Sequence, residues 1–125
     1  MTTENPLYAL LRANSVPAAP VLHIVSFKFR PEVSVGEQEE LMAECFQLEV
    51  LCGGHESGIR AFKVKRNLDP RKGYTWVEMV LFQDVEALIA FHRHPQHQQF
   101  AQKMAQAADV WVVTDINVDS ETHIR

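Results

Sequence analysis

Residues His92 to Phe100 read HRHPQHQQF, three histidines within six positions around one proline, in a chain of 125 residues with six histidines in all. Imidazoles this close together could bind a metal, move protons or cap a helix. Zinc sites on a helix take histidines at i and i+4, as in HExxH, and need a third ligand with an open position. His92, His94 and His97 are two and three apart with Pro95 between the last two, so no metal site is expected. Pro95 suits the first turn of a helix with His94 as its cap, which leaves His97 at the third helical position. The positive end of the helix dipole there disfavours imidazolium and keeps the ring neutral, able to accept a proton. The alternative is that His97 only ties the helix start to the sheet.

The elements that must hold these residues follow from periodicity. PVLHIVSFKFRP (Pro20 to Pro31) alternates, with Val21, His23, Val25, Phe27 and Phe29 on one face and Leu22, Ile24, Ser26, Lys28 and Arg30 on the other, a strand bounded by prolines. Ser34 with Glu37 forms a capping box opening a helix that carries Leu41, Cys45, Leu48 and Cys52, and the glycines of CGGHESG end it. IRAFKVKRNL is a second strand, with Ile59, Ala61, Lys63 and Lys65 opposite Arg60, Phe62, Val64 and Arg66. DPRKG has turn chemistry, so YTWVEMVLF (Tyr74 to Phe82) is expected as its hairpin partner. Asp84 caps a helix with Val85, Leu88, Ile89 and His92 on one side, interrupted at Pro95 by the next helical segment, which runs to Ala108. DVWVVTDINV from Asp109 closes the chain as a strand apolar on both faces.

The order βαββαβ is the ferredoxin-like split arrangement of the α+β class, whose helices cover only one face of the sheet. Leu22, Ile24, Val77, Met79 and Leu81, or else the opposite set, make the other face apolar too, which calls for a second sheet. With one chain in view the expected supplier is another copy, a homodimer through the sheet face. His23, on a face otherwise apolar, is expected to be buried as a satisfied core histidine or to line a pocket.

Composition limits the rest. Apolar residues are 46%, charged residues 22% and the net charge is −4, with no basic stripe, so a nucleic-acid surface is not expected. Cys45 and Cys52, roughly 10 Å apart along one helix at ~1.5 Å per residue, are too distant to bridge. With no signal peptide and no long apolar run, the chain reads as a soluble cytoplasmic protein with free thiols and no membrane association. Residues 1–20, with one apolar patch from Leu7 to Leu11 and a Pro/Ala linker, are expected as an N-terminal arm outside a domain over 21–119, and 120–125 as a tail.

LHIVSFKFRPEVS, IRAFKVKRNL, GYTWVEMVLFQDVEALIAFHRHPQHQQF and WVVTDI resemble, in order and spacing, the stress-responsive dimeric α/β-barrel (Dabb) family, over roughly Val21 to Val118. The resemblance implies a dimeric barrel with a small pocket between each sheet and its own helices, and no cofactor. Some members are stress-induced proteins without an assigned reaction. Others, plant olivetolic acid cyclase among them, perform an aldol cyclisation of a linear polyketide. Carried over by position, the catalytic histidine matches His97, its orienting aspartate Asp115 and the first-strand histidine His23, while the catalytic tyrosine falls on Phe91 and a third-strand histidine on Trp76. Tyr74 could supply a phenol in place of the hydroxyl absent at Phe91, and Phe27, Trp76, Phe91 and His94 are the expected substrate-binding residues.

The expected function is a cofactor-free polyketide-type cyclase or lyase acting on a small hydrophobic carbonyl compound, with His97 as general base, Asp115 orienting it and His23 or Tyr74 polarising a carbonyl. The alternative is a non-catalytic stress-responsive protein that binds a hydrophobic ligand or serves a structural role. A cavity of about 300 Å³ or more reached by both His23 and His97 favours the enzyme, and one filled by Trp76 and Phe91 favours the alternative.

Overall fold

A computed structural model describes residues 4–118. The elements are α1 (Pro6–Asn14), β1 (Val21–Phe29), α2 (Val35–Leu51), a short 3₁₀ turn (Gly54–Ser57), β2 (Ile59–Arg66), β3 (Tyr74–Phe82), α3 (Val85–Arg93), α4 (Pro95–Ala107) and β4 (Ala108–Asn117). The strands form one antiparallel sheet in the order β2-β3-β1-β4. This is the ferredoxin-like α+β arrangement with one helix added in front.

Local chemistry sets the element boundaries. Ser34 Oγ accepts from the Glu37 N–H at 3.1 Å, and the Glu37 carboxylate accepts from the Ser34 hydroxyl at 3.2 Å, so side chains satisfy an amide that the first turn of α2 leaves open. Asp84 caps α3 through the Ala87 N–H at 2.9 Å. His94 caps α4 through the Gln96 N–H at 3.1 Å, with Pro95 at the first helical position. The left-handed Gly53 follows the C-cap of α2 at φ 102°, a conformation that suits a residue without Cβ.

The core lies between the sheet and its helices. Val21, Val25, Phe27 and Phe29 of β1 point into it, as their alternation requires, and Met42, Cys45 and Leu48 of α2 meet them from above. In β2 the pattern breaks. Ile59 pairs with Phe82 and Ala61 with Leu81, so Arg60 is an extra residue in the ladder, and this bulge lets Ile59 and Phe62 both enter the core although three positions separate them. Both cysteines are free and buried.

The segment before β1 does not stand outside the domain. Pro6–Asn14 is a helix, started by Asn5, whose side chain accepts from the Leu7 N–H, and it lies against α3. Leu7, Tyr8 and Leu11 share its inner face, and Tyr8 is only 5% exposed within the hydrophobic core. Arg12 forks onto Glu86 of α3 with two contacts of 3.0 Å, and the Val16 N–H donates to Asn117 Oδ1 at 2.7 Å. The expectation failed because short helices gain their stability from tertiary packing rather than from their own propensity. Residues 119–125, which hold the expected tail, lie outside the described residues.

Among the described residues nothing covers the opposite sheet face. Val110, Val112 and Ile116 of β4 are exposed there, next to the half-buried Ile24, Val77 and Met79. Among the described residues no helix is long and apolar enough to cross a membrane.

Candidate active site

His23 is placed by β1, and its neighbours follow from strand register. Asp115 of β4 stands directly opposite His23, and Glu78 of β3 is opposite Val25, one step along the same face. His23 Nδ1 is 2.6 Å from Asp115 Oδ1, and Nε2 is 3.6 Å from Glu78 Oε1. His23 and Glu78 are both buried. Burial alone would hold the imidazole down, but the hydrogen bonds to Asp115 and Glu78 and the charges of both outweigh it and push the pKa up to about 9. The ring is therefore an imidazolium near neutral pH, fixed between two carboxylates.

Glu78 is held from the helix side by Cys45, whose thiol donates to Oε2 at 3.0 Å. Burial first, then the charge and hydrogen bond of Glu78, push that thiol well above its ordinary value. Cys45 serves as a donor, not a nucleophile.

His97 occupies the third position of α4. Burial pushes its pKa down to about 4; the charge of Glu78 and a hydrogen bond to the His92 backbone oppose the shift, and the charge of His23 reinforces it. The ring is neutral near pH 7. It packs edge-on against Phe91 with ring centroids 4.8 Å apart, and its Nδ1 is buried without a hydrogen-bond partner among the described residues. A buried polar atom left in this way costs roughly 1–3 kcal/mol.

Both histidines reach one cavity of about 380 Å³ between the sheet and α1, α3 and α4. Its polar groups are His23, Glu78, His92, His97 and Asp115, and the rest of its wall is apolar, with Val25, Phe27, Leu88, Phe100 and Met104. The size and the few convergent polar groups are those of a small-molecule site. The arrangement offers a neutral imidazole beside a fixed imidazolium, a candidate proton acceptor and a candidate stabiliser of negative charge in one cavity.

Four expected residues are placed elsewhere. Tyr74 pairs with Lys28 because a bulge shifts the register after Phe27 and Trp76, so its ring joins Ser26 and Val112 on the open sheet face. Trp76 lines a separate groove with Met42 and Phe46 of α2, under the Arg66 guanidinium at 4.6 Å. Phe91 is core, packed among Phe62, Phe82, His23 and His97 as a floor behind the two histidines rather than as cavity wall. His94 is used as the α4 cap and does not line the cavity. Asp115 is in the cavity but bonds His23, not His97, since adjacent-strand register brings it to β1 at hydrogen-bonding distance.

Sequence reasoning missed Glu78 and Tyr8. Glu78 carries a signal, a lone carboxylate in TWVEMVLF on the inward face shared with Val80 and Phe82. Tyr8 carries little beyond the patch PLYALL. Its hydroxyl lies 2.9 Å from His92 Nδ1, and the two rings meet edge to face.

The fold recurs in solved structures. The protein At3g17210 from Arabidopsis thaliana is 26% identical, with a TM-score of 0.69 over 80% of this chain and 96% of that one. The hydroxynitrile lyase from Passiflora edulis is 20% identical, with a TM-score of 0.71 over 83% and 97%. A dimeric protein of unknown function and ferredoxin-like fold from Bacteroides fragilis is 24% identical, with a TM-score of 0.66 over 82% and 100%. No curated protein sequence matches the chain. The model of the stress responsive A/B barrel domain, Dabb, matches residues 21–118, which span every element from β1 to β4, and the chain therefore belongs to that family.

Proposed function

We propose that the chain is an acid–base enzyme of the cyclase or lyase type, acting on a small, largely apolar carbonyl compound with its own side chains. The observation that carries this reading is the meeting of neutral His97 and cationic His23 in one 380 Å³ cavity. His97 accepts a proton from the carbon next to a carbonyl, or from a hydroxyl on the carbon whose bond will break. Oxygen that gains negative charge is stabilised by His23, whose 3.6 Å separation from Glu78 leaves its Nε2–H open to sharing with a ligand. The same two roles serve carbon–carbon bond formation and its reverse. The likeness to the Passiflora hydroxynitrile lyase supports the lyase direction through fold alone.

The test is turnover of linear polyketones, by cyclisation, and of aromatic cyanohydrins, by cleavage, in wild type and His97→Asn. Loss of a general base lowers kcat typically by 10²–10⁴-fold, and a loss of at least ~100-fold with unchanged folding is expected. Equal rates in the two proteins would remove His97 from the mechanism, and a wild type inert toward both substrate classes would leave a binding protein for apolar ligands.

The open sheet face is read as a homodimer interface. Val110, Val112 and Ile116 form an exposed apolar surface, and relatives of this fold from Bacteroides fragilis and Thermobifida fusca are described as dimeric. Val112→Glu places a charge in that face and is expected to yield a folded monomer by sedimentation velocity. A Val112→Glu protein that still sediments as a dimer would move the interface elsewhere. Two free thiols fit a reducing compartment, and we place the protein in the cytoplasm.

A further inference from the structure

The matched family domain begins at residue 21, yet part of the cavity is built by residues before it. Leu7 and Leu11, one helical turn apart on α1, line the cavity opposite the sheet. Between them Tyr8 turns inward and puts its hydroxyl 2.9 Å from Nδ1 of His92, which lines the cavity as well.

The chemistry of this pair is directional. A phenol as buried as that of Tyr8 needs an acceptor for its proton, and Nδ1 of His92 is within reach. Burial keeps the His92 imidazole neutral, so when Nδ1 accepts from Tyr8 the ring must carry its own proton on Nε2. The ring cannot turn over without breaking that bond and the edge-to-face contact, whose centroids are 5.5 Å apart. The charges that act on it are those of His23 and Asp115 from the sheet, and the neutral His97 ring of α4 lies against it with centroids 5.3 Å apart.

We propose that the N-terminal helix is a working wall of the ligand site, in which Tyr8 is a positioning residue that fixes His92 as a hydrogen-bond donor to a ligand carbonyl oxygen, while Leu7 and Leu11 close the apolar side. The proposal deepens the functional reading above, because it uses the same cavity and ligand class, but it does not require that turnover occur. Arg12 to Glu86 and Val16 to Asn117 are the ties that keep the wall in place.

The experiment separates oxygen recognition from packing. Binding of acetophenone and of ethylbenzene, which has the same ring without the carbonyl, is measured by ligand-observed NMR on wild type and Tyr8→Phe. The ¹⁵N shifts of the His92 imidazole are followed in the same samples. Wild type is expected to show the Nε2–H tautomer and to prefer acetophenone. Tyr8→Phe keeps the ring but loses the hydroxyl, so a mixture of tautomers and roughly ten-fold weaker acetophenone binding are expected, with ethylbenzene affected less than two-fold. An equal loss for both ligands would reduce Tyr8 to packing and overturn the proposal, as would unchanged acetophenone binding or a wild type that does not prefer the ketone. Leu11→Trp, which fills the cavity from the helix side, should weaken both ligands together, and unchanged binding would show that α1 is not its wall. These readouts stand whether or not His97 proves to be catalytic.

Discussion

Replacing His23 with leucine is expected to destabilise the protein by about 3–5 kcal/mol at pH 7, the usual cost of removing one partner from a buried charged group, because Glu78 and Asp115 lose the cation between them. Urea unfolding measures it, and a loss below ~1 kcal/mol would mean that water or another group compensates the carboxylates. The pH dependence gives a second signature. Below its ordinary value of 6.5 the His23 ring is protonated whether the chain is folded or unfolded, and its stabilisation is complete. Between pH 6.5 and about 9 the unfolded chain gives up that proton while the folded chain keeps it, so stability falls across this window. At about 1.4 kcal/mol per pH unit the fall is on the order of 3 kcal/mol, and His23→Leu should lack it. His97 works in the opposite sense. Its folded value near 4 lies below 6.5, so its contribution is present above pH 6.5 and is lost as pH falls toward 4. From these two groups, wild-type stability should peak near pH 6.5.

Phe91→Ala is expected to cost a similar amount, about 3–5 kcal/mol, since a buried aromatic is removed from the contact of Phe62 and Phe82. The site should report the change as well. Phe91 is packed against His97 and contributes to the burial that holds its pKa near 4, so the cavity left behind admits water and the His97 titration should move up toward 6.5. Histidine NMR titration checks this. A destabilised Phe91→Ala protein in which His97 still titrates near 4 would place the cause of its burial on another element. Phe91 thus links fold stability to the protonation of the proposed base, from a position that does not line the cavity.

What the residues alone revealed depended on how local the physics was. The alternation of β1, the Ser34 and Glu37 box and the His94 and Pro95 helix start depend on neighbours within four residues, and each was readable. The bulges at Arg60 and between Tyr74 and Trp76 depend on how two strands fit together. An unbroken alternation therefore separated Ile59 from Phe62, and the face of Tyr74 stayed open. The partner of Asp115 was obscure for a similar reason, because nothing in TDI states which β1 residue it will face. The α1 helix was the least legible, since Tyr8 enters the core only through α3, 84 positions away in the case of His92. The cavity itself follows from residues on the inward faces that were assigned correctly, His23 and Phe27 among them, and from Glu78, whose lone charge in an apolar strand was visible but not used.

The two bonds that define the site join distant parts of the chain, His23 to Asp115 across 92 positions and Tyr8 to His92 across 84. A chain leaving the ribosome therefore presents α1 and β1 long before the residues they need exist. Closing loops of this length is slow compared with forming a helix or a hairpin. The β2–β3 hairpin and α2 can form early, whereas a charged His23 must wait for the last strand to neutralise its surroundings. The cavity between β1, β4 and α1 can therefore be completed only once β4 has been made.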